Sequence, residues 1–249
     1  MTKAIILAAG MGTRLRPLTN DRPKCLVELA GKPLLEHQIS VLQSLGIFNI
    51  HVVGGYLAGM LERSDITLHV NSDFETTNMV YTLFQAEGEL DSSEDVIVSY
   101  GDIVYEANVL EKLLKCEGQV CVVSDRQWLR YWRARFTDPL DDAETFRVDG
   151  QGKILDLGKK PQTVDEVEGQ FIGLMKFRQE VLPELRNVWS ALQRSSAPGA
   201  VERSYTTDFL QQLIHEGWEL RPVFIENGWA EIDSEKDLAV ATDFFTPHN

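Results

Sequence analysis

Positive charge is in short supply in this 249-residue chain: 24 Lys and Arg stand against 38 Asp and Glu, a formal net charge of −14. Binding a nucleic-acid backbone or an anionic membrane draws on clustered cations, so this balance argues against both partners. Cysteine is scarce as well. Cys25, Cys116 and Cys121 are an odd number without metal-ligand spacing, and the apolar run near the start spans only Ala4 to Ala9, too short for a signal peptide. These absences predict a reducing, cytoplasmic setting. There is no fixed-period repeat and no low-complexity tract, and 43% hydrophobic with 25% charged content is ordinary for a globular protein. Disorder is thereby excluded, and the length suits one large α/β domain or two small ones.

What is present begins with Ala4–Ala9, a continuous apolar run ended by Gly10, the pattern of a strand buried on both faces of a parallel sheet. Leu34, Leu35, Ile39, Leu42 and Leu45 then form one helical stripe stopped by Gly46, and residues 49–55 read as a second strand. The alternation continues with strands at 66–70, 95–100 and 119–124 and helices near 78–87 and 108–116, which indicates a mostly parallel sheet wrapped by helices. From Asp125 the pattern changes. Residues 144–148 and 153–157 predict a β-hairpin insertion around Asp149–Gly152, followed by strands at 170–177 and 219–225, helices near 179–193, 207–216 and 237–245, and a loop at 195–199.

In an open α/β sheet, ligands bind beyond the carboxyl ends of the strands, so the loop after the first strand is well placed. Gly10 and Gly12 let its backbone approach a ligand, and Arg14 and Lys24 add a forked and a point-like cation suited to a polyphosphate. The loop reads G-M-G-T-R-L, which is neither the P-loop nor the dinucleotide fingerprint, so a dinucleotide-dependent oxidoreductase is disfavoured. Asp102, directly after a buried strand and Gly101, suits Mg²⁺, a hard cation that takes oxygen ligands. Taken alone, Asp102 reads equally as a turn residue and Asp233 as a helix N-cap.

The whole string from Gly10 to Thr19, G-x-G-T-R-L-x-P-L-T, followed by Pro23-Lys24, resembles the signature of nucleotidyltransferases that join a nucleoside triphosphate to a phosphorylated small molecule. The resemblance extends through "NSDFETTNMVYTLFQA" (71–86), "SYGDIVYE" (99–106), "LGKKP" (157–161), "GQFIGLMKF" (169–177) and "GWAEIDSEKDL" (228–238), in the family's order. Asn71 with Thr77-Asn78, the "EID" segment and "DPLDDAET" (138–145) look like the branch that makes CDP-linked compounds from phosphocholine, aminoalkylphosphonates or phosphoglutamine. The resemblance implies a three-layer, Rossmann-like, mostly parallel sheet of the nucleotide-diphospho-sugar transferase type in one domain, 1–249. Residues 1–124 would form its nucleotide-binding half and 125–249 its acceptor-binding half.

It further implies that Arg14 and Lys24 bind the triphosphate and stabilise charge on the α-phosphate, and that Lys160 grips the acceptor phosphate. Asp102 and Asp233 would carry Mg²⁺, with Glu231 a third candidate. The base would be read by Leu7, Ala8, Ala9 and Gly10 and by residues near Gly54, Gly55, Tyr56, Thr77 and Asn78, with Gly12, Thr13, Asn71 and Gly101 completing the nucleotide set. Arg16 and Arg22 are expected to be surface cations rather than catalysts, with a place facing the pyrophosphate left open for either.

For the acceptor, Trp128, Tyr131 and Trp132 lie close in sequence to Asp142 and Glu144, and aromatic faces with carboxylates suit a cationic amine. The same aromatics at i, i+3 and i+4 also fit a helix packed on the sheet. Gln170 joins this acceptor set, while Arg130, Arg133 and Arg135 could pair with carboxylates or hold an acceptor carboxylate. The expected activity is transfer of CMP from CTP to a small phosphorylated amine, amino acid or aminophosphonate, with pyrophosphate released and a homodimer left open. A sugar-1-phosphate nucleotidyltransferase and a catalytically silent nucleotide-sensing subunit are the rivals. Arg14, Lys24, Asp102, Lys160 and Asp233 are all present, which favours an enzyme.

Overall fold

A computed structural model describes residues 1–91, 93–197 and 199–245. The first strand, Thr2–Ala8, lies inside a seven-stranded sheet, with Ala4, Ile5 and Ile6 fully buried on its two faces. Such a strand needs no polar alternation, because both faces are covered. Across the sheet the strands run in the order Leu220–Ile225, Val120–Asp125, Gln170–Phe177, Asp95–Tyr100, Thr2–Ala8, Ile50–Gly54, Thr67–Val70. All neighbours are parallel except Gln170–Phe177, which is antiparallel to both of its partners. Its register shifts between Phe171 and Met175, around Gly173 at φ 79°, where a Cβ would sit 2.5 Å from the Tyr100 ring.

Helices cover both faces. Leu34–Ser44, Ala107–Lys115, Trp128–Arg135 and Glu235–Ala241 pack on one side, and Met79–Phe84, Leu182–Ser195 and Thr206–His215 on the other. Leu34, Leu35 and Leu42 of the first helix are almost wholly buried, each contributing about 1.5–3 kcal/mol, so its apolar stripe holds it in place. The expected hairpin is present as Phe146–Val148 against Ile154–Leu157. The last helix starts before the expected 237 because Ser234 and Asp237 form a capping box at its N-terminus. Of the loop expected at 195–199, Ser195 still belongs to a helix and Pro198 lies outside the described residues.

One element matters more for the site than its size suggests. The three-residue strands Ile103–Tyr105 and Trp229–Glu231 pair antiparallel, and the Ile232 N–H donates to Asp102 O at 2.9 Å. This ribbon brings the 231–233 segment beside the end of the strand at 95–100. A second difference concerns the thiols: Cys116 and Cys121 are joined in a disulfide, leaving Cys25 as the free, buried cysteine. The helix end at Lys115 and the strand start at Val120 bring their Cα atoms to 6.4 Å, a proximity that the count of three did not anticipate. Among the described residues, no helix is long and apolar enough to cross a membrane.

Candidate active site

The carboxyl ends of the strands at 2–8 and 95–100 open onto a cavity of about 350 Å³. Leu7, Ala8, Ala9, Gly10, Gly12 and Thr13 line it from the first loop, and Thr77, Asn78 and Gly101 from facing segments. The loop's shape is set by Gly12, whose φ of 61° favours glycine and whose missing Cβ leaves room for Lys24 Cβ, which would otherwise stand at 2.9 Å. Thr19 Oγ1 donates to Gly12 O at 2.8 Å and pins the turn. Gly101 has a comparable constraint: a Cβ there would stand 2.8 Å from Leu7 O.

Four expected nucleotide residues sit behind this wall. Gly54 packs against Ala58 and Leu61 rather than lining the cavity, and Gly55 backs it, with a Cβ there reaching 2.7 Å from Ala9 O. The Tyr56 hydroxyl donates to Asn20 O. Asn71 is fully buried and holds the wall from behind, donating to Thr77 Oγ1 and Thr82 Oγ1, both at 3.0 Å, and accepting from Asp73 N–H. Phe74, Met79, Thr82 and Tyr100 line the cavity without having been expected there. Their positions follow from the 71–86 segment and the strand end, whose cavity-facing members spacing alone does not single out.

At the cavity's mouth, charges of both signs converge. Lys24 Nζ meets Asp102 Oδ2 at 2.6 Å and Asp233 Oδ1 at 2.5 Å, and Arg14 Nη2 meets Asp233 Oδ1 at 3.0 Å. Burial would pull the Lys24 ammonium down, but the Asp102 and Asp233 carboxylates outweigh it and hold its pKa above the usual value. Asp233 lies below the usual carboxylate range for the converse reason: Lys24, Arg14 and Arg135 outweigh its burial. Glu231 is driven up by burial and by Asp233 beside it, with Arg135 pulling the other way. Arg16 is exposed and Arg22 pairs with Asp21, so both stand apart from this cluster.

Asp102, Glu231 and Asp233 each offer a carboxylate oxygen within 4.8 Å of the others. Asp102 Oδ1 is buried with no hydrogen-bond partner, and such an orphan costs free energy that a hard cation would relieve. The all-oxygen donor set fits a divalent ion such as Mg²⁺, whose entry would displace the Lys24 ammonium from the same oxygens. Asp233 is not the N-cap of the following helix, a role held by Ser234, so its carboxylate is not spent on capping and is held by Lys24, Arg14 and Arg135 instead.

A second cavity of about 200 Å³ shares Arg14, Met79, Tyr100, Glu231 and Asp233 with the first and runs toward the hairpin insertion. Trp132, Asp142, Glu144 and Gln170 line it as expected, joined by Tyr205 and Thr207. Burial, with Asp142 and Asp208 nearby, pushes Glu144 up to about 7. Two of the expected aromatics are corrected. Trp128 and Tyr131 belong to the core: Trp128 Nε1 donates to Val167 O, and the Tyr131 hydroxyl donates to Glu231 O. The helix Trp128–Arg135 turns that face to the sheet and leaves Trp132 at the cavity edge. Lys160 also stands outside both cavities, exposed, with its Nζ on the backbone oxygens of Leu140 and Asp141 next to Asp142. Arg135, in contrast, pairs with Glu231, Asp233 and Asp237, partners distant in sequence and so invisible to spacing.

The family model described as the MobA-like NTP transferase domain matches residues 4–197. The chain is 41% identical to a CTP:phosphoglutamine cytidylyltransferase of Campylobacter jejuni, over 95% of this chain and 98% of that protein. It is 43% identical to a choline-phosphate cytidylyltransferase of Streptococcus pneumoniae over a shorter stretch, 36% of this chain and 42% of that one. A solved CTP:phosphocholine cytidylyltransferase of Streptococcus pneumoniae superposes with a TM-score of 0.72 at 25% identity, over 96% of both chains.

Proposed function

Because the chain belongs to the MobA-like NTP transferase family, and is therefore a nucleotidyltransferase, we propose that it transfers CMP from CTP to a small phosphorylated amino compound, an amino-acid phosphate of the phosphoglutamine type above all. The observation that carries this reading is the seam between the two cavities. Arg14, Glu231 and Asp233 border both, with the glycine loop on one side and the carboxylates Asp142 and Glu144 on the other.

An acceptor phosphate oxygen attacks the α-phosphorus of CTP, the bond from that phosphorus to the bridging oxygen breaks, and pyrophosphate leaves with the electron pair. The nucleophile is already anionic near neutrality, so alignment and charge neutralisation matter more than a base. Lys24 and Arg14, at the loop that would hold the triphosphate, stabilise charge on the α-phosphate, each well-placed donor being worth about 3 kcal/mol in a water-poor site. Asp102, Glu231 and Asp233 would hold Mg²⁺, which would supply positive charge to offset that of the phosphates. Glu144 and Asp142 receive the acceptor ammonium. Gln170, whose Oε1 accepts from the Glu144 N–H at 3.2 Å, keeps its amide nitrogen as a donor for an acceptor carboxylate. That pairing of acceptor groups favours an amino acid over choline. Lys160, exposed and outside both cavities, would reach the acceptor phosphate only by leaving the Leu140 and Asp141 carbonyls. A cytoplasmic setting, where CTP and Mg²⁺ are at hand, goes with this reading, while the Cys116–Cys121 disulfide runs against the reducing environment expected from the cysteine count.

The test is pyrophosphate release with each of the four nucleoside triphosphates against phosphoglutamine, phosphocholine, 2-aminoethylphosphonate and hexose 1-phosphates. Turnover with CTP and phosphoglutamine is expected to exceed the rest. Turnover confined to a hexose phosphate would overturn the acceptor class, and binding of CTP without any turnover would favour a silent sensor. Light scattering on the same preparation reads whether the enzyme is a homodimer.

A further inference from the structure

Arg135 is the last residue of the helix Trp128–Arg135, and its side chain is fully shielded from solvent. The rings of Tyr131, Trp132 and Phe136 lie 5.3, 5.0 and 5.0 Å from its guanidinium carbon. The fork spreads over three carboxylates: Nε to Asp237 Oδ1 at 2.9 Å, Nη1 to Glu231 Oε2 at 2.6 Å and Nη2 to Asp233 Oδ2 at 3.2 Å. Stability alone does not account for such a cluster. Desolvation costs several kcal/mol per ion, and well-packed apolar side chains of similar volume often hold a fold as well or better.

What the fork supplies is direction. Asp233 gives Oδ2 to Arg135 and presents Oδ1 to Lys24 and Arg14 at the cavity mouth. Glu231 gives Oε2 to Arg135, so Oε1 is the oxygen left for the cavity that this residue lines. The third arm is anchored to the same turn, since Asp237 Oδ2 accepts from the N–H groups of Asp233 and Ser234 at 2.9 and 2.8 Å. Guanidinium, carboxylates and turn thus close into one frame around the 231–233 segment.

We propose that Arg135 is the positioning residue of the metal centre: its buried fork sets which oxygen of Glu231 and of Asp233 faces the cavity. This rests on the assignment of Asp102, Glu231 and Asp233 as divalent-cation ligands. Lysine in its place would keep the charge but could not engage three carboxylates at fixed angles.

The test is titration of the full chain with Mn²⁺ followed by electron paramagnetic resonance, together with the KM for Mg²⁺ and kcat. Wild type is expected to bind one Mn²⁺, with binding lost in Asp233→Asn; a wild type that binds none removes the metal assignment itself and this proposal with it. Arg135→Lys is expected to weaken Mn²⁺ binding by about 10–100-fold, as loss of a ligand-orienting partner does. The KM for Mg²⁺ should rise in step, while kcat at saturating metal falls less. Asp237→Asn, which loosens one arm and keeps a carbonyl oxygen for the turn, should weaken Mn²⁺ binding by a smaller factor, about threefold or more. A folded Arg135→Lys with wild-type Mn²⁺ affinity overturns the proposal. Should that variant fail to fold, unchanged Mn²⁺ affinity in Asp237→Asn overturns it instead.

Discussion

Glu144 sits near 7 in the folded chain against an ordinary value of 4.5, so the native state holds a proton there that the unfolded chain has already lost. Between those two values stability falls as pH rises, by an amount on the order of 3 kcal/mol for this group. Glu144→Gln should therefore melt above wild type at pH 8, with the gap closing toward pH 5 in thermal scans; a gap independent of pH would place the titration elsewhere. On the role proposed for Glu144, function runs the opposite way, because an acceptor ammonium would need the ionised carboxylate. The acceptor KM should fall between pH 6 and pH 8 in wild type and lose that slope in the variant. At this scale the sequence identified chemistry better than surroundings. Asp102, Glu231 and Asp233 do converge, because pairing of Ile103–Tyr105 with Trp229–Glu231 brings their two segments together. Trp128 and Tyr131 could not be told from core residues, since helix packing and cation binding use the same side chains.

Strand ends meet closely at the nucleotide cavity, and glycine makes the meeting feasible. The Gly101 N–H donates to Leu7 O at 2.8 Å, and a methyl group at Gly101 would press on that same oxygen. Gly101→Ala should cost about 1–3 kcal/mol in urea unfolding, as overpacking does, and raise the KM for CTP by moving the loop that follows Ala9. Unfolding that matches wild type would show that the two strand ends can part at no cost. The central strands were readable because continuous apolar runs such as Ala4–Ala9 mark two-sided burial. Ile103–Tyr105 and Trp229–Glu231 were not, since three residues are too few for alternation to register and their partner is over a hundred positions away. The element that assembles the charged cluster was thus the least visible one.

For the whole molecule, a net charge of −14 meets a substrate that is itself a polyanion. Long-range repulsion slows encounter at low salt, and it is screened over about 8 Å at physiological ionic strength, while contacts inside the cavity are screened much less. The kcat/KM for CTP at saturating Mg²⁺ should therefore rise between 10 and 150 mM added salt; a fall would mean that Arg14, Lys24 and their neighbours dominate the field felt at a distance. The fold class was legible at this scale because strand and helix patterns alternate along the first half. The one antiparallel strand of the seven-stranded sheet was not, because pairing direction leaves no mark on composition. That strand, Gln170–Phe177, fills the gap between Asp95–Tyr100 and Val120–Asp125. Both sheet neighbours of Val120–Asp125 come later in the chain. On the ribosome, then, residues 120–125 emerge with no strand to join, and the sheet under the glycine loop stays open until the segment beyond the hairpin has been synthesised and has turned back into its middle.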